Sequence, residues 1–143
     1  IGYLSFLVGK WRDWMVNSHT IQARIHDLGL LCGSSVQAPV DIATRKSFFK
    51  LYRYLNMVHA LTYKTVMPNL KTLQLDPDYV RLGLLTQAEA SSLQQITAKM
   101  REKLLTWIGA EMTKLMRNNV LHEGMAPTFA EKLCGLRGIC GRH

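Results

Sequence analysis

The stretch from Asp41 to Pro68 constrains the fold most. Asp41 is a good N-cap, helical periodicity continues to about Val66, and Pro68 ends it. Phe48, Leu51, Tyr52, Leu55 and Val58 make one apolar stripe, and Tyr54, Met57 and Leu61 make a second. Lys46, Lys50 and Arg53 share the remaining face. An apolar arc that wide needs neighbours on more than one side, so this helix is expected inside a multi-helix packing.

The rest of the chain reads the same way. Strand signals are nearly absent and the 3.6-residue period recurs. Residues 1–16 read as the end of a hydrophobic helix entering an aromatic, charged junction, Lys10 to Met15. A further helix is expected over 18–31, ending in the loop CGSSVQAP. Around Asp76, an N-cap followed by Pro77 predicts a short helix that Gly83 closes in the left-handed conformation. Thr86 and Glu89 then form a T-x-x-E capping box that opens a long helix to about Arg117. Its expected buried side is Leu93, Ile96, Met100, Leu104, Trp107, Met112 and Leu115. After the turn RNNVLHEG a last helix begins near Pro127, carrying Phe129, Leu133, Leu136 and Cys140. The fold class expected is all-α, a bundle of long helices.

The 143 residues suit a single domain with a real core. The 18 basic against 10 acidic residues give a net charge of +8, which points to an acidic partner, an anionic surface or an anionic solute. Arg45, Lys46, Lys50, Arg53, Lys64 and Lys71 lie between Asp41 and Asp76 with no acid among them. Either a solvated helix face or a cytosol-facing segment of a membrane protein accounts for that run. Three cysteines, Cys32, Cys134 and Cys140, are an odd number at no disulfide-like spacing and favour a reducing compartment. Cys134, Cys140 and His143, with His122, raise the thought of a metal, but a C-x5-C-x2-H run on one helix does not arrange three ligands tetrahedrally around zinc. Cys134 and Cys140 are expected to be small buried hydrophobes, and His59 a packing histidine.

Catalytic chemistry finds no foothold. There is no G-x-S-x-G, no glycine-rich phosphate loop, no H-E-x-x-H and no pair of carboxylates with evident roles. No enzymatic activity and no cofactor of this segment are expected. The chain lacks an initiator Met, a signal peptide and a targeting segment. It opens inside an apolar run, IGYLSFLVG, that is too short to span a bilayer, which takes ~20 residues. It is therefore expected to be an ordered piece of something longer. Trp and basic residues just past that run suit a membrane–water interface, although a soluble helix with two surface Trp residues reads similarly.

Four stretches, in order, resemble the bestrophin family. YVRLGLLTQAE resembles the joint in which a glycine, an apolar pair and a Thr precede an acidic helix start, here with Gly83, Thr86 and Glu89. KSFFKLYRYLNMVHALTYKTVMPNL, Lys46 to Leu70, is similar to the family's long cytosolic helix with its R-Y-x-N element, here Arg53-Tyr54-Leu55-Asn56. LRGICG resembles the R-x-x-C-G element before the third membrane segment, here Arg137, Cys140 and Gly141. LSFLVGKWRDWM resembles the exit from the second membrane segment into an aromatic R-W-W junction.

Bestrophins are homopentameric anion channels that pass chloride and often bicarbonate, and many are opened by cytosolic calcium. The resemblance therefore implies that residues 1–16 end the second membrane helix and its interfacial junction. It makes 17–143 a cytosolic (or organelle-matrix or stromal) helical region leading to the next membrane segment of a multi-pass membrane protein. It places the end of the apolar neck at Ile1, Gly2 and Tyr3, with Tyr3 in place of the usual pore-facing Phe, and the lower constriction near Gly124 or Met125. Lys46, Lys50, Arg53 and Lys64 are the candidate anion-attracting residues, with chloride as the permeant ion. Calcium, if used, binds outside this segment, and a pentamer in a membrane, not bound to nucleic acid, is the expected assembly. The chain departs from the family where Arg12 and Asp13 break the tryptophan pair, where Lys64-Thr65 replaces Arg-Ser, and where Gly124 makes the lower ring wide. Those departures leave one alternative, a non-conducting structural subunit among the unlike subunits of a larger membrane complex; the net charge leaves another, a soluble basic helical module for nucleic acid.

Overall fold

Asp41 does cap its helix: its Oδ1 accepts from the Thr44 N–H at 2.7 Å, and the helix runs from Ile42 to Val66. The computed structural model describes residues 2–37, 39–96 and 99–140. The fold is all-α. Its helices are α1 (Gly2–Ser34), α2 (Ile42–Val66), α3 (Gln87–Gln94), α4 (Met100–Arg117) and α5 (Ala126–Cys140). Single tight turns stand at Pro68–Leu70 and Glu123–Met125, and a wider one at Leu75–Tyr79. No strand occurs among the described residues. One isolated bridge joins Val36 to Leu121, and the His122 N–H donates to the Ser35 carbonyl at 3.1 Å beside it. That pair of contacts ties the turn after α4 to the end of α1.

The core lies where α2 packs along α4 and α1 packs along α5. Leu28, Met57, Val58, Leu93, Leu104, Ile108, Leu121 and Leu136 have no accessible surface. Burying each such side chain contributes about 1.5–3 kcal/mol. Of the residues expected on the apolar arc of α2, Leu51, Tyr54, Leu55, Met57, Val58 and Leu61 are buried, and Phe48 is half-buried. Tyr52 is the exception at 63% exposed, because no element covers that edge of the helix. On α4, Leu105, Ile108 and Met116 join the expected Leu104, Met112 and Leu115 in the interior.

Three expected boundaries shift. The separate helices expected over 1–16 and 18–31 are one uninterrupted helix, since a change from apolar to charged residues is not a stop signal. None of the residues from 2 to 17 is buried, whereas Ser18, Ile21, Leu28 and Cys32 are. The long helix expected from Thr86 to Arg117 is broken. α3 ends at Gln94, and Lys99 takes a left-handed φ of 73° immediately before α4. Around Pro77 the backbone makes one wide turn, and the side chain that receives a backbone N–H (that of Gln74) belongs to Asp78, not Asp76. Gly83 closes this turn at φ +80°, as its position predicts. The Thr86–Glu89 capping box forms in full.

Candidate functional site

The best-built polar centre sits where α2 meets the start of α3. Arg53 extends from the middle of α2 into a position only 9% exposed, where an isolated guanidinium would be costly. Its Nη1 donates to Glu89 Oε2 at 2.9 Å and to the Leu84 carbonyl at 3.1 Å, and its Nη2 donates to Glu89 Oε1 at 3.3 Å. The neighbouring Tyr54 hydroxyl donates to Glu89 Oε1 at 2.8 Å, and the Thr86 N–H donates to Oε2 at 2.8 Å. Each carboxylate oxygen thus receives two donors. Glu89 caps α3 and neutralises α2 with one group.

Electrostatics follow from that geometry. Burial alone would raise the Glu89 pKa, but the bonds from Arg53, the Thr86 N–H and Tyr54 outweigh it and hold the carboxyl at about 2. Burial, and then the bond to Glu89, raises the Tyr54 phenol above its ordinary value. The bond to Glu89 raises Arg53, which stays charged. Tyr54 also packs against Trp107 of α4, ring centroids 5.5 Å apart, so the centre is anchored to a third helix.

Several of the residues singled out by sequence converge here. Lys46, Lys50, Arg53, Gly83 and Thr86 line one shallow depression of about 430 Å³, with Phe49 and Leu85 as its apolar part. Lys46 is exposed, whereas Lys50 pairs with Glu111 of α4 at 3.3 Å. Lys64 lies farther along α2, donating to the Leu73 carbonyl and standing 5.9 Å over the Tyr79 ring. The structure does not bring Tyr3, Gly124 or Met125 to this depression. Tyr3 is 73% exposed on the first turn of α1. Gly124 and Met125 form the tight turn before α5, in which the Gly124 N–H donates to His122 Nδ1 at 2.9 Å and Met125 packs against the core. Arg137 lines a concavity between α4 and α5 with Glu102 and Cys134. Ile1, Gly141 and His143 lie outside the described residues, as does the side chain of Cys140.

A broader apolar groove of about 930 Å³ runs between α1 and α2, with Cys32, Leu51 and Leu55 in its lining and the exposed Leu30 and Tyr52 at its edges. His26 and His59 face it from the two helices. Burial, then the charge of His26, lowers the His59 pKa, and its ring packs on Tyr63 at 4.6 Å. Its Nε2 is buried without a hydrogen-bond partner. Burial pushes the Cys32 thiol up to about 11, so it is poorly reactive. Cys134, expected in the core, is exposed because it lines the open concavity between α4 and α5. Among the described residues no three His, Cys, Asp or Glu side chains converge on a point that could hold a metal.

The role of Glu89 as a counter-ion has no local sequence signal, because a capping-box glutamate is already accounted for by its own helix. The one hint is Arg53 itself, a permanent cation flanked by Tyr54 and Leu55 on a helix whose neighbours must bury it. Also beyond the sequence reading was the gathering of Lys99 and Arg101 beside Lys64 and Lys71. Comparison with protein-family models, with curated proteins and with solved structures finds no match. Among the described residues no helix is long and apolar enough to cross a membrane.

Proposed function

We propose that this chain is the cytosolic helical portion of a bestrophin-like channel that conducts chloride or bicarbonate passively through a five-copy pore. One observation carries the reading. Two of the stretches that carry the resemblance, R-Y-x-N on α2 and the glycine–threonine–glutamate joint before α3, meet across 36 positions, where Arg53 and Tyr54 supply three hydrogen bonds to Glu89. That the two resembling stretches pack on each other supports reading them as parts of one architecture.

Two further features fit. Tyr3, Leu4, Phe6, Leu7 and Val8 expose an apolar surface on the first turns of α1, followed by Lys10, Trp11 and Arg12. Such a surface calls for an apolar environment, and the residues after it suit a headgroup layer. Lys46 stays exposed next to the buried pair, so a ring of five copies multiplies its charge by five at a surface that anions approach. The alternative of a nucleic-acid module draws less support, because Lys50, Arg53 and Lys64 are already engaged within the chain.

The test is reconstitution of the full-length protein in vesicles, with anion flux and the number of copies per particle both measured. Anion-selective flux from a five-copy particle is the expected result. A five-copy particle without flux removes the channel claim. A single copy among unlike subunits, or a monomer soluble without detergent, overturns the channel.

A further inference from the structure

A second concentration of positive charge lies away from the Glu89 centre. Lys64 from α2, Lys71 just after the turn at Pro68–Leu70, and Lys99 and Arg101 at the start of α4 line one concavity of about 550 Å³. Leu61 and Met100 supply its apolar part, and Glu102 is its single carboxylate. The lining therefore carries a formal excess of three positive charges. These residues come from three separate elements, so it is the fold that joins the end of the basic run, Lys64 and Lys71, to Lys99 and Arg101.

Some cations of the chain stand beside acids: Lys50 with Glu111, Arg24 and Lys132 with Asp27, Arg53 with Glu89. Here, among the described residues, Lys71 and Lys99 have no ion-pair partner. Lys64 spends one of its three N–H donors on the Leu73 carbonyl, which fixes its ammonium at the site and leaves two to offer. Gathering like charges in a concavity opposes folding through self-repulsion, and a multivalent counter-ion relieves it. The backbone adds to the same field. α4 is 18 residues long and starts at this concavity, so the positive end of its dipole lies beside the cations.

We propose that the concavity formed by Lys64, Lys71, Lys99 and Arg101 binds a group carrying two or more neighbouring phosphates, either a free polyphosphorylated solute or a polyphosphorylated lipid headgroup. Three ammonium groups gathered in one concavity match tetrahedral oxyanions of high charge density better than a single carboxylate or a halide. This inference is independent of conduction, and direct binding tests it without reference to flux.

The experiment uses the purified full-length protein in lipid-free detergent, with inorganic pyrophosphate and inositol hexakisphosphate as free probes. Vesicles of phosphatidylcholine with or without phosphatidylinositol bisphosphate are the headgroup probe. Titration calorimetry and thermal unfolding are read against sodium chloride at matched ionic strength. The wild type is expected to bind at least one probe and to unfold at a higher temperature in its presence. Lys71→Ala combined with Lys99→Asn is expected to weaken that binding tenfold or more. Asn tolerates the left-handed backbone at 99, and both side chains are exposed, so this variant keeps the fold. Lys71→Glu is expected to weaken binding as well. Lys114→Ala with Arg117→Ala removes the same charge from the far end of α4 and is expected to change affinity less than twofold. Binding of the free probes assigns the site to a solute, and binding only to the phosphoinositide vesicles assigns it to a headgroup. Equal losses in the two double variants, stabilisation matched by chloride, or no binding of any probe would overturn the proposal.

Discussion

Replacing Glu89 by Gln removes one charge and almost no volume, so its consequence can be worked from the hydrogen bonds alone. The carboxylate has four donors: two from Arg53, one from Tyr54 and one from the Thr86 N–H. An amide offers one oxygen and turns its NH2 toward groups that themselves donate. A carboxyl held at about 2 against an ordinary value of 4.5 contributes about 3 kcal/mol to stability at neutral pH. Removing one partner of a buried pair costs a similar ~3–5 kcal/mol, because Arg53 is left charged and uncompensated. Glu89→Gln is therefore expected to lower stability by about 3 kcal/mol, measured by urea unfolding of the full-length protein at pH 7. Arg53→Met tests the partner, and the double variant should cost clearly less than the two single losses combined, a coupling of roughly 2 kcal/mol or more. The pH dependence is a second signature. The folded state binds this proton less tightly than the unfolded chain, so the contribution is full above pH 4.5 and fades as pH falls toward about 2. That acid slope should be absent in Glu89→Gln. A loss under about 1 kcal/mol, strict additivity of the two substitutions, or an unchanged acid profile would refute the reasoning.

Gly83→Ala is expected to cost about 1 kcal/mol through backbone conformation alone, since φ is +80° and a Cβ there meets nothing within 4 Å; thermal unfolding measures it. Gly109→Ala on α4 should be neutral or stabilising by up to ~1 kcal/mol, because its Cβ would stand 3.7 Å from Leu133 Cδ2, an ordinary contact, while helix propensity improves. A clear destabilisation would show that α4 and α5 lie closer than described. Ile108→Ala empties a fully buried site and should cost about 2–5 kcal/mol in the same unfolding assay, whereas Tyr52→Ala, on the uncovered edge of α2, should cost far less.

What the sequence discloses and what it hides divide along range. The Asp41 cap, the Thr86–Glu89 box and the Gly83 turn are set by residues within four positions of one another, and all three form as their chemistry dictates. The interruption between α3 and α4 carries no glycine or proline to announce it. Its reason is tertiary. α3 must present Glu89 to Arg53 while α4 must lie along α2, and one straight rod cannot serve both partners. Arg53 was grouped with Lys46 and Lys50 by the helical wheel, which places it on the correct side of α2. The wheel is blind to the Gly83–Thr86 turn that arrives over the same face and buries it. The basic concavity is hidden for the same reason, since its members come from elements whose approach no periodicity encodes.

The continuity of α1 has a mechanical consequence. Without a break anywhere between Gly2 and Ser34, its exposed half and its packed half form one lever about 50 Å long at 1.5 Å per residue. The fulcrum is near Ser18, where burial begins, which leaves an arm of about 22 Å out to Tyr3. A tilt of about 5° imposed where α1 rests on α5 would swing that tip by about 2 Å over this arm, so small repacking near Leu28 is felt, enlarged, at the opposite end.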